Sequence, residues 1–237
     1  MRAVILAGGR GTRLAPYTTV FPKPLMPIGE IPIIEIVLRQ LQFYGFERAT
    51  LAVGYLSELL RAYLTHHNAA FSDIALDYVY EDAPTGTAGS LANIEGLDET
   101  FLVMNGDVLT TLDYGALLDH HRASGAAITI ATYCKRVKID LGVLETDESG
   151  FVTQYREKPE MDYAVSMGIY VYEPRALKPI ERGEYLDFPT LVQRLIETGE
   201  KVSTFAWDGY WLDIGRPDDF VMAIEQFEAH RGEFHVD

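Results

Sequence analysis

Carboxylates are missing from the start of the chain. The first is Glu30, in a sequence that carries 35 Asp+Glu against 20 Lys+Arg. Cysteine is nearly missing as well. Cys134 is the only one in 237 residues, so no intrachain disulfide and no cysteine metal cluster can form; a reducing, cytoplasmic setting is expected. Long apolar runs are absent. Nothing approaches the ~20 apolar residues that span a bilayer, and the run after Arg2 is too short, and too soon broken by Gly8 and Gly9, to read as a signal peptide. Basic surplus is absent too. The net charge of −15 argues against a nucleic-acid or anionic-membrane partner. A small anionic substrate stays open, because a local basic cleft can override the global field. With no repeats, low-complexity tract or linker, one domain over residues 1–237 is expected.

What is present reads as a soluble globular protein, 48% hydrophobic and 23% charged. Apolar runs Ala3–Leu6, Thr50–Val53, Ile74–Tyr80 and Phe101–Met104 predict strands. Ile33, Ile34, Val37, Leu38 and Leu41 form a helical stripe over Ile33–Tyr44, stopped by Gly45. Leu56–Leu64 and Tyr114–Ser124 predict further helices. Strand–helix alternation with continuous apolar strands predicts an α/β fold with a mixed, mainly parallel sheet covered on both faces. The closely spaced runs Ala127–Thr132, Val143–Thr146, Phe151–Glu157 and Gly168–Tyr172 predict an antiparallel β extension, with Glu148-Ser149-Gly150 as a hairpin turn. Helical patterns return at Phe188–Thr198 and Pro217–Glu228.

The acid-free start is also rich in glycine and basic residues: Leu6-Ala7-Gly8-Gly9-Arg10-Gly11-Thr12-Arg13-Leu14, with Lys23 following. A strand feeding a glycine-rich turn lets backbone N–H groups converge on phosphate oxygens. Two familiar versions fail. The Walker pattern needs Lys-Ser/Thr after its second glycine, whereas Gly11 precedes Thr12-Arg13; the dinucleotide pattern needs a third glycine where Leu14 stands. A bland turn with solvated charges is the alternative. Asp107 ends a buried-type strand, where ligands gather in parallel sheets and where a carboxylate can hold Mg²⁺ against phosphates; an Asp opening a turn is the alternative. Asp213 is a second candidate, with helix capping as its alternative, although Asp218 and Asp219 stand closer to the helix that starts near Pro217. The six histidines lack zinc-site spacing.

Taken together, Gly8-Gly9-Arg10-Gly11-Thr12-Arg13-Leu14 and Pro22-Lys23-Pro24-Leu25-Met26-Pro27 resemble the signature of the sugar-1-phosphate nucleotidyltransferases, and the resemblance extends over nearly the whole chain. It implies a single α/β nucleotidyltransferase domain that joins a nucleoside triphosphate to a sugar 1-phosphate. Leu6, Ala7, Gly8, Gly9, Gly11, Thr12, Arg13 and Lys23 would bind the nucleotide, with Arg13 on the leaving pyrophosphate and Lys23 near the α-phosphate. Asn105-Gly106-Asp107 and Trp211-Leu212-Asp213-Ile214-Gly215 match the family's two metal motifs, which implies Mg²⁺ on Asp107 and Asp213. Glu157-Lys158-Pro159 matches its E-K-P motif, with Lys158 on the sugar phosphate and Glu157 on a sugar hydroxyl. Gly142 would let the sugar approach the backbone. Ser166 stands where the family usually places a sugar-contacting Asn. Gly86-Thr87-Ala88-Gly89 resembles the G-T-A-G of mannose-1-phosphate guanylyltransferases, closest in pattern to this chain. Gly89 would leave room for guanine where other members place Gln or His, so GTP is the expected triphosphate, with a uridylyl- or thymidylyltransferase as the alternative.

Two rivals from other classes remain. A glycosyltransferase of related architecture usually carries Asp-x-Asp, which Asn105-Gly106-Asp107 is not. A catalytically silent nucleotide-sugar sensor typically loses charged site residues that are all kept here. Many relatives append a C-terminal left-handed β-helix of hexapeptide repeats, absent from this sequence; monomer and homodimer both stay open.

Overall fold

The computed structural model describes residues 1–81 and 84–236. Its organising strand is β1 (Arg2–Ala7). Ala3, Ile5 and Ala7 face one apolar cluster, and Val4 and Leu6 face a second. A strand covered on both sides has no need to alternate polar and apolar residues, hence the continuous Ala3–Leu6 run. The two-residue strands β2 (Pro27–Ile28) and β3 (Ile31–Pro32) form a small hairpin before α1 (Ile33–Phe43). The expected stripe of α1 is buried, and so is Glu35. Its carboxylate accepts from Arg39 at 2.7 Å and from the Tyr63 hydroxyl at 2.5 Å, so the buried charge is paired and hydrogen-bonded.

The chain continues through β4 (Arg48–Val53), α2 (Ser57–His66), β5 (Ala75–Tyr80), the single-turn α3 (Gly86–Gly89), β6 (Phe101–Asn105) and β7 (Val108–Thr110). Then come α4 (Tyr114–Ser124), β8 (Ile128–Lys138), β9 (Val143–Thr146), β10 (Val152–Arg156), β11 (Glu160–Tyr172), α5 (Phe188–Glu197), β12 (Val202–Trp207), β13 (Trp211–Asp213) and α6 (Pro217–His230). Asp113 caps α4 by accepting from the Ala116 amide at 2.9 Å. Seven strands form one sheet in the order β12-β8-β11-β6-β1-β4-β5. β1 pairs in parallel with β4 and β6, β4 with β5, and β12 with β8; β11 alone is antiparallel, to both β6 and β8. α1 packs on one face and α5 on the other.

The expected mainly parallel α/β architecture is therefore present, with three differences. β8 and β11 each run well past the predicted strands. Their outer halves, 133–138 and 160–166, form a two-stranded ribbon that joins the β9–β10 hairpin in an exposed arm. It is paired along its backbone and carries exposed cross-strand charges such as Arg136 to Asp162 at 2.8 Å, which leave no hydrophobic period to detect. β12 was not anticipated. Nor were β7 and β13, which pair antiparallel. The predicted hairpin turn is there: Gly150 N–H donates to Asp147 O at 3.0 Å. No helix among the described residues is long and apolar enough to cross a membrane.

Candidate functional site

β1, β4, β5 and β6 all point their C-terminal ends the same way. The strands end in turn before Gly8-Gly9, Gly54-Tyr55, Glu81 and Gly106-Asp107. Because parallel strand ends diverge into loops on one edge, a cleft forms there. It encloses about 670 Å³ and is lined by Leu6, Ala7, Gly8, Gly9, Arg10, Gly11, Thr12, Arg13, Lys23, Gly86, Thr87 and Asp107, among others. The phosphate-loop residues predicted from the sequence are thus brought together with Asp107 in one cavity. The loop is tied down at several points. The Thr18 hydroxyl donates to Gly11 O at 2.7 Å, the Tyr55 hydroxyl donates to Thr19 O at 3.2 Å, and Arg10 lies 5.9 Å over the Tyr55 ring.

Lys23 is held in a tight turn between Pro22 and Pro24 and is only 8% exposed. Its ammonium pairs with Asp107 Oδ2. Asp107 Oδ1 is buried with no hydrogen-bond partner. β7 and β13 bring the second carboxylate alongside: Asp213 pairs in register with Val108, and Ile214 N–H donates to Asp107 O at 3.2 Å. Burial raises the Asp213 carboxyl above its ordinary value, and repulsion from Asp107 adds to this, opposed by Lys23 and Arg13. Arg13 reaches the same place from the loop, since its guanidinium lies 3.4 Å from where a Cβ on Gly215 would stand. Asp213 does not cap α6. That role falls to Asp219, which accepts from Gly215 N–H at 3.2 Å and Arg216 N–H at 2.8 Å.

The two carboxylates suit a magnesium ion. An unpartnered buried carboxylate oxygen and a neighbouring acid with a raised pKa are what an adjacent cation would relieve. Among the described residues no three His, Cys, Asp or Glu side chains converge on a metal position. Magnesium typically takes one or two carboxylates and fills its octahedron with water and phosphate oxygens.

The base-side expectation needs correction. Ala88 and Gly89 are buried, and both donate their N–H groups to Leu186 O, at 2.9 and 3.0 Å. A Cβ on Gly89 would stand 2.5 Å from Glu184 O. Gly89 is therefore small because the 184–186 segment lies against it, and the space expected for a guanine ring is filled by the chain itself. Gly86 and Thr87 do line the cavity, together with Glu81, Ser90, Tyr185 and Asp187, which sequence reasoning missed. The Ser90 hydroxyl is buried without a partner. The Thr85 hydroxyl donates to Glu81 at 2.7 Å.

The predicted sugar-side residues Gly142, Glu157, Lys158 and Ser166 lie on the arm, all exposed, and none lines the cavity. The approach to Gly142 is also taken. The Tyr155 hydroxyl sits where a Cβ on Gly142 would be and donates to Glu157 at 3.0 Å. Tyr155 was not singled out from the sequence. The Ser166 hydroxyl donates to the Tyr170 hydroxyl oxygen at 3.2 Å.

Comparison with known proteins shows the family of this chain. The family described as nucleotidyl transferase matches residues 2–230. A UTP–glucose-1-phosphate uridylyltransferase from Synechocystis is 33% identical over 94% of this chain and 62% of its own length. A mannose-1-phosphate guanylyltransferase from Mycobacterium tuberculosis is 33% identical over 98% of this chain and 68% of its own. The chain thus spans just under two thirds of the cyanobacterial relative. Among solved structures, HddC from Yersinia pseudotuberculosis superposes with a TM-score of 0.72 at 27% identity, covering 95% of this chain and 99% of that one. A family match over almost the whole length, on a sheet whose parallel strand ends lead into the basic loop and Asp107, places the chain in the nucleotidyl transferase family.

Proposed function

We propose that this protein transfers a nucleoside monophosphate from GTP to a sugar 1-phosphate, giving a nucleoside-diphosphate sugar and pyrophosphate. The observation that carries the reading is the convergence of Arg13, Lys23 and Asp107 in the cavity lining, with Asp213 near enough behind them for all three charges to act on its carboxyl. The substrates dictate such a site. A phosphate monoester is already an anionic nucleophile at neutral pH, so no general base is needed. One of its oxygens forms a bond to the α-phosphorus while the bond to the β-phosphate oxygen breaks, and pyrophosphate leaves in line with the electron pair. Catalysis then rests on positioning and charge neutralisation.

Glycine-loop amides and Arg13 would receive the β- and γ-phosphates, Arg13 gaining as leaving-group charge grows. Lys23 would face the α-phosphate, and Lys158 would hold the incoming sugar phosphate. Magnesium on Asp107 and Asp213 would supply further neutralisation of phosphate oxygens. A cytoplasmic setting fits the lone cysteine and the expected triphosphate supply.

Support for guanine comes from chemistry other than that first expected. Glu81 and Asp187 place carboxylate acceptors in the cavity lining, and either could accept from the N1–H and N2–H donors of guanine, which adenine does not present together. The mycobacterial relative is named a guanylyltransferase, and the Yersinia protein has been solved with GMP-PN. The uridylyl reading is favoured by the Synechocystis relative. Pyrophosphate release, measured as initial rate with five triphosphates at equal sub-saturating concentration against a panel of hexose 1-phosphates, tests both. A UTP or dTTP preference overturns the guanylyl assignment and keeps the reaction. Nucleotide binding without turnover on any pair overturns the reaction and favours a sensor.

A further inference from the structure

The Lys23–Asp107 ion pair raises a question of charge. Lys23 is buried, and among the described residues its ion pair is made with Asp107, a carboxylate proposed to hold magnesium, while its charge also acts on Asp213. The same ammonium is the group proposed to meet the α-phosphate. An ammonium on Asp107 Oδ2 and a dication on the Asp107–Asp213 pair compete for one anionic surface. We infer that Lys23 is the resting counter-ion of the metal site, and that a divalent cation enters by displacing its ammonium from Asp107 into the cavity, where phosphate oxygens take it up. This inference rests on the reading that Asp107 and Asp213 hold the metal.

The arrangement follows from the surroundings. Asp107 lies in the turn just after the buried strand β6, and a lone, largely buried carboxylate there would be costly without a compensating charge. Oδ1 is buried without a protein partner, so the compensating charge is the Lys23 ammonium on Oδ2. Lys23 carries a compact charge on a flexible stem, so its head can swing between two anions while the Pro22–Pro24 turn fixes its backbone. Arginine would grip the carboxylate with two N–H groups and release it less readily. The exchange also links the substrates. The metal frees the cation that the phosphate needs, and the phosphate captures the cation that obstructs the metal. Each therefore favours the other, as reciprocal coupling requires.

The test is Mn²⁺ binding to the nucleotide-free protein, followed by electron paramagnetic resonance of the unbound ion. Lys23→Met and Lys23→Gln remove the competing charge, so both should bind Mn²⁺ alone about tenfold more tightly than the unaltered protein, within the range usual for coupled sites. Lys23→Arg should bind it no more tightly than the unaltered protein. GTP binding in EDTA should weaken in Lys23→Met and Lys23→Gln. If Lys23→Met folds poorly, added Mn²⁺ should raise its melting temperature more than that of the unaltered protein. Unchanged or weaker Mn²⁺ affinity in both neutral variants overturns the exchange. Asp213→Asn separates this failure from that of the metal reading. If Mn²⁺ affinity survives Asp213→Asn, the metal assignment itself is wrong; if it is lost there but unmoved by either Lys23 change, only the exchange is wrong.

Discussion

The nucleotide end and the sugar end of the proposed site are built from different material. At the nucleotide end, Asp107 and the glycine loop spring from strands whose residues are almost wholly buried, and Lys23 and Asp107 are held at the edge of that core. At the sugar end, Gly142, Glu157, Lys158 and Ser166 ride on an arm where even Leu141 is 73% and Phe151 72% exposed. The difference matches the demands of the chemistry. Charge stabilisation at a reacting phosphorus depends on groups fixed before the reaction begins, and packed strands fix them. Recognition of sugar hydroxyls tolerates, and exploits, a surface that adapts.

If this contrast is right, the two ends should respond differently to substitution. The largest effects belong to the carboxylates. Asp107→Asn and Asp213→Asn should each lower kcat by about 10²-fold or more with folding retained; near-normal magnesium-dependent turnover removes the altered residue from the metal site. Next comes the scaffold itself. Leu102→Ala, on fully buried β6, should cost about 2–5 kcal/mol in chemical denaturation, and a loss below 1 kcal/mol would deny that β6 is a rigid floor. Arg13→Ala should mainly slow turnover. Lys158→Ala should instead raise the apparent KM for the sugar phosphate, by about tenfold, with that for the triphosphate little changed. A rise confined to the triphosphate would move Lys158 to the other end. The smallest effect is expected for Phe151→Ser on the arm, within about 0.5 kcal/mol of the unaltered stability.

The carboxylate site also predicts a trade-off. Asp213 has a raised pKa in the folded protein, so between its unfolded and folded values the folded state binds more protons than the unfolded one. Stability then falls as pH rises through that window, and the penalty persists at neutral pH. Metal-free Asp213→Asn should therefore melt above the unaltered protein near pH 7 while being less active. A lower melting temperature would show that Asp213 is stabilising.

The same contrast explains what the sequence could disclose. Strands β1, β4 and β6 were legible because two-sided burial writes a continuous apolar run. The outer halves of β8 and β11 were not, because a largely exposed ribbon carries charges such as Arg136 and Asp162 on its surface, which look like any solvated surface. β12 reads Val-Ser-Thr-Phe-Ala-Trp and lies beside β8 with only partial burial, too weak a pattern to detect. Within the site, Lys23 and Asp107 stand 84 residues apart. No local period links them; the family resemblance did. That resemblance named Gly89 but could not show the 184–186 segment folded over it, which is why its smallness was read as room for a base. Glu81 and Tyr155 went unnoticed since nothing in their neighbours marks them.

β11 has a mechanical consequence. One unbroken strand runs from the arm at Glu160 to the sheet at Tyr172, and its register against β8 shifts between Ser166 and Tyr170. The seven outer residues span roughly 20 Å at the usual rise per residue. The strand thus ties the arm to the sheet through one continuous backbone, with the irregularity between the two. Its short end is clamped to β6 beside Asp107, with Tyr170 opposite Val103 and Ile169 opposite Met104. Its long end leads directly into the turn that carries Lys158. The turn that carries Lys158 is therefore joined, through one strand, to the sheet whose β6 leads into Asp107.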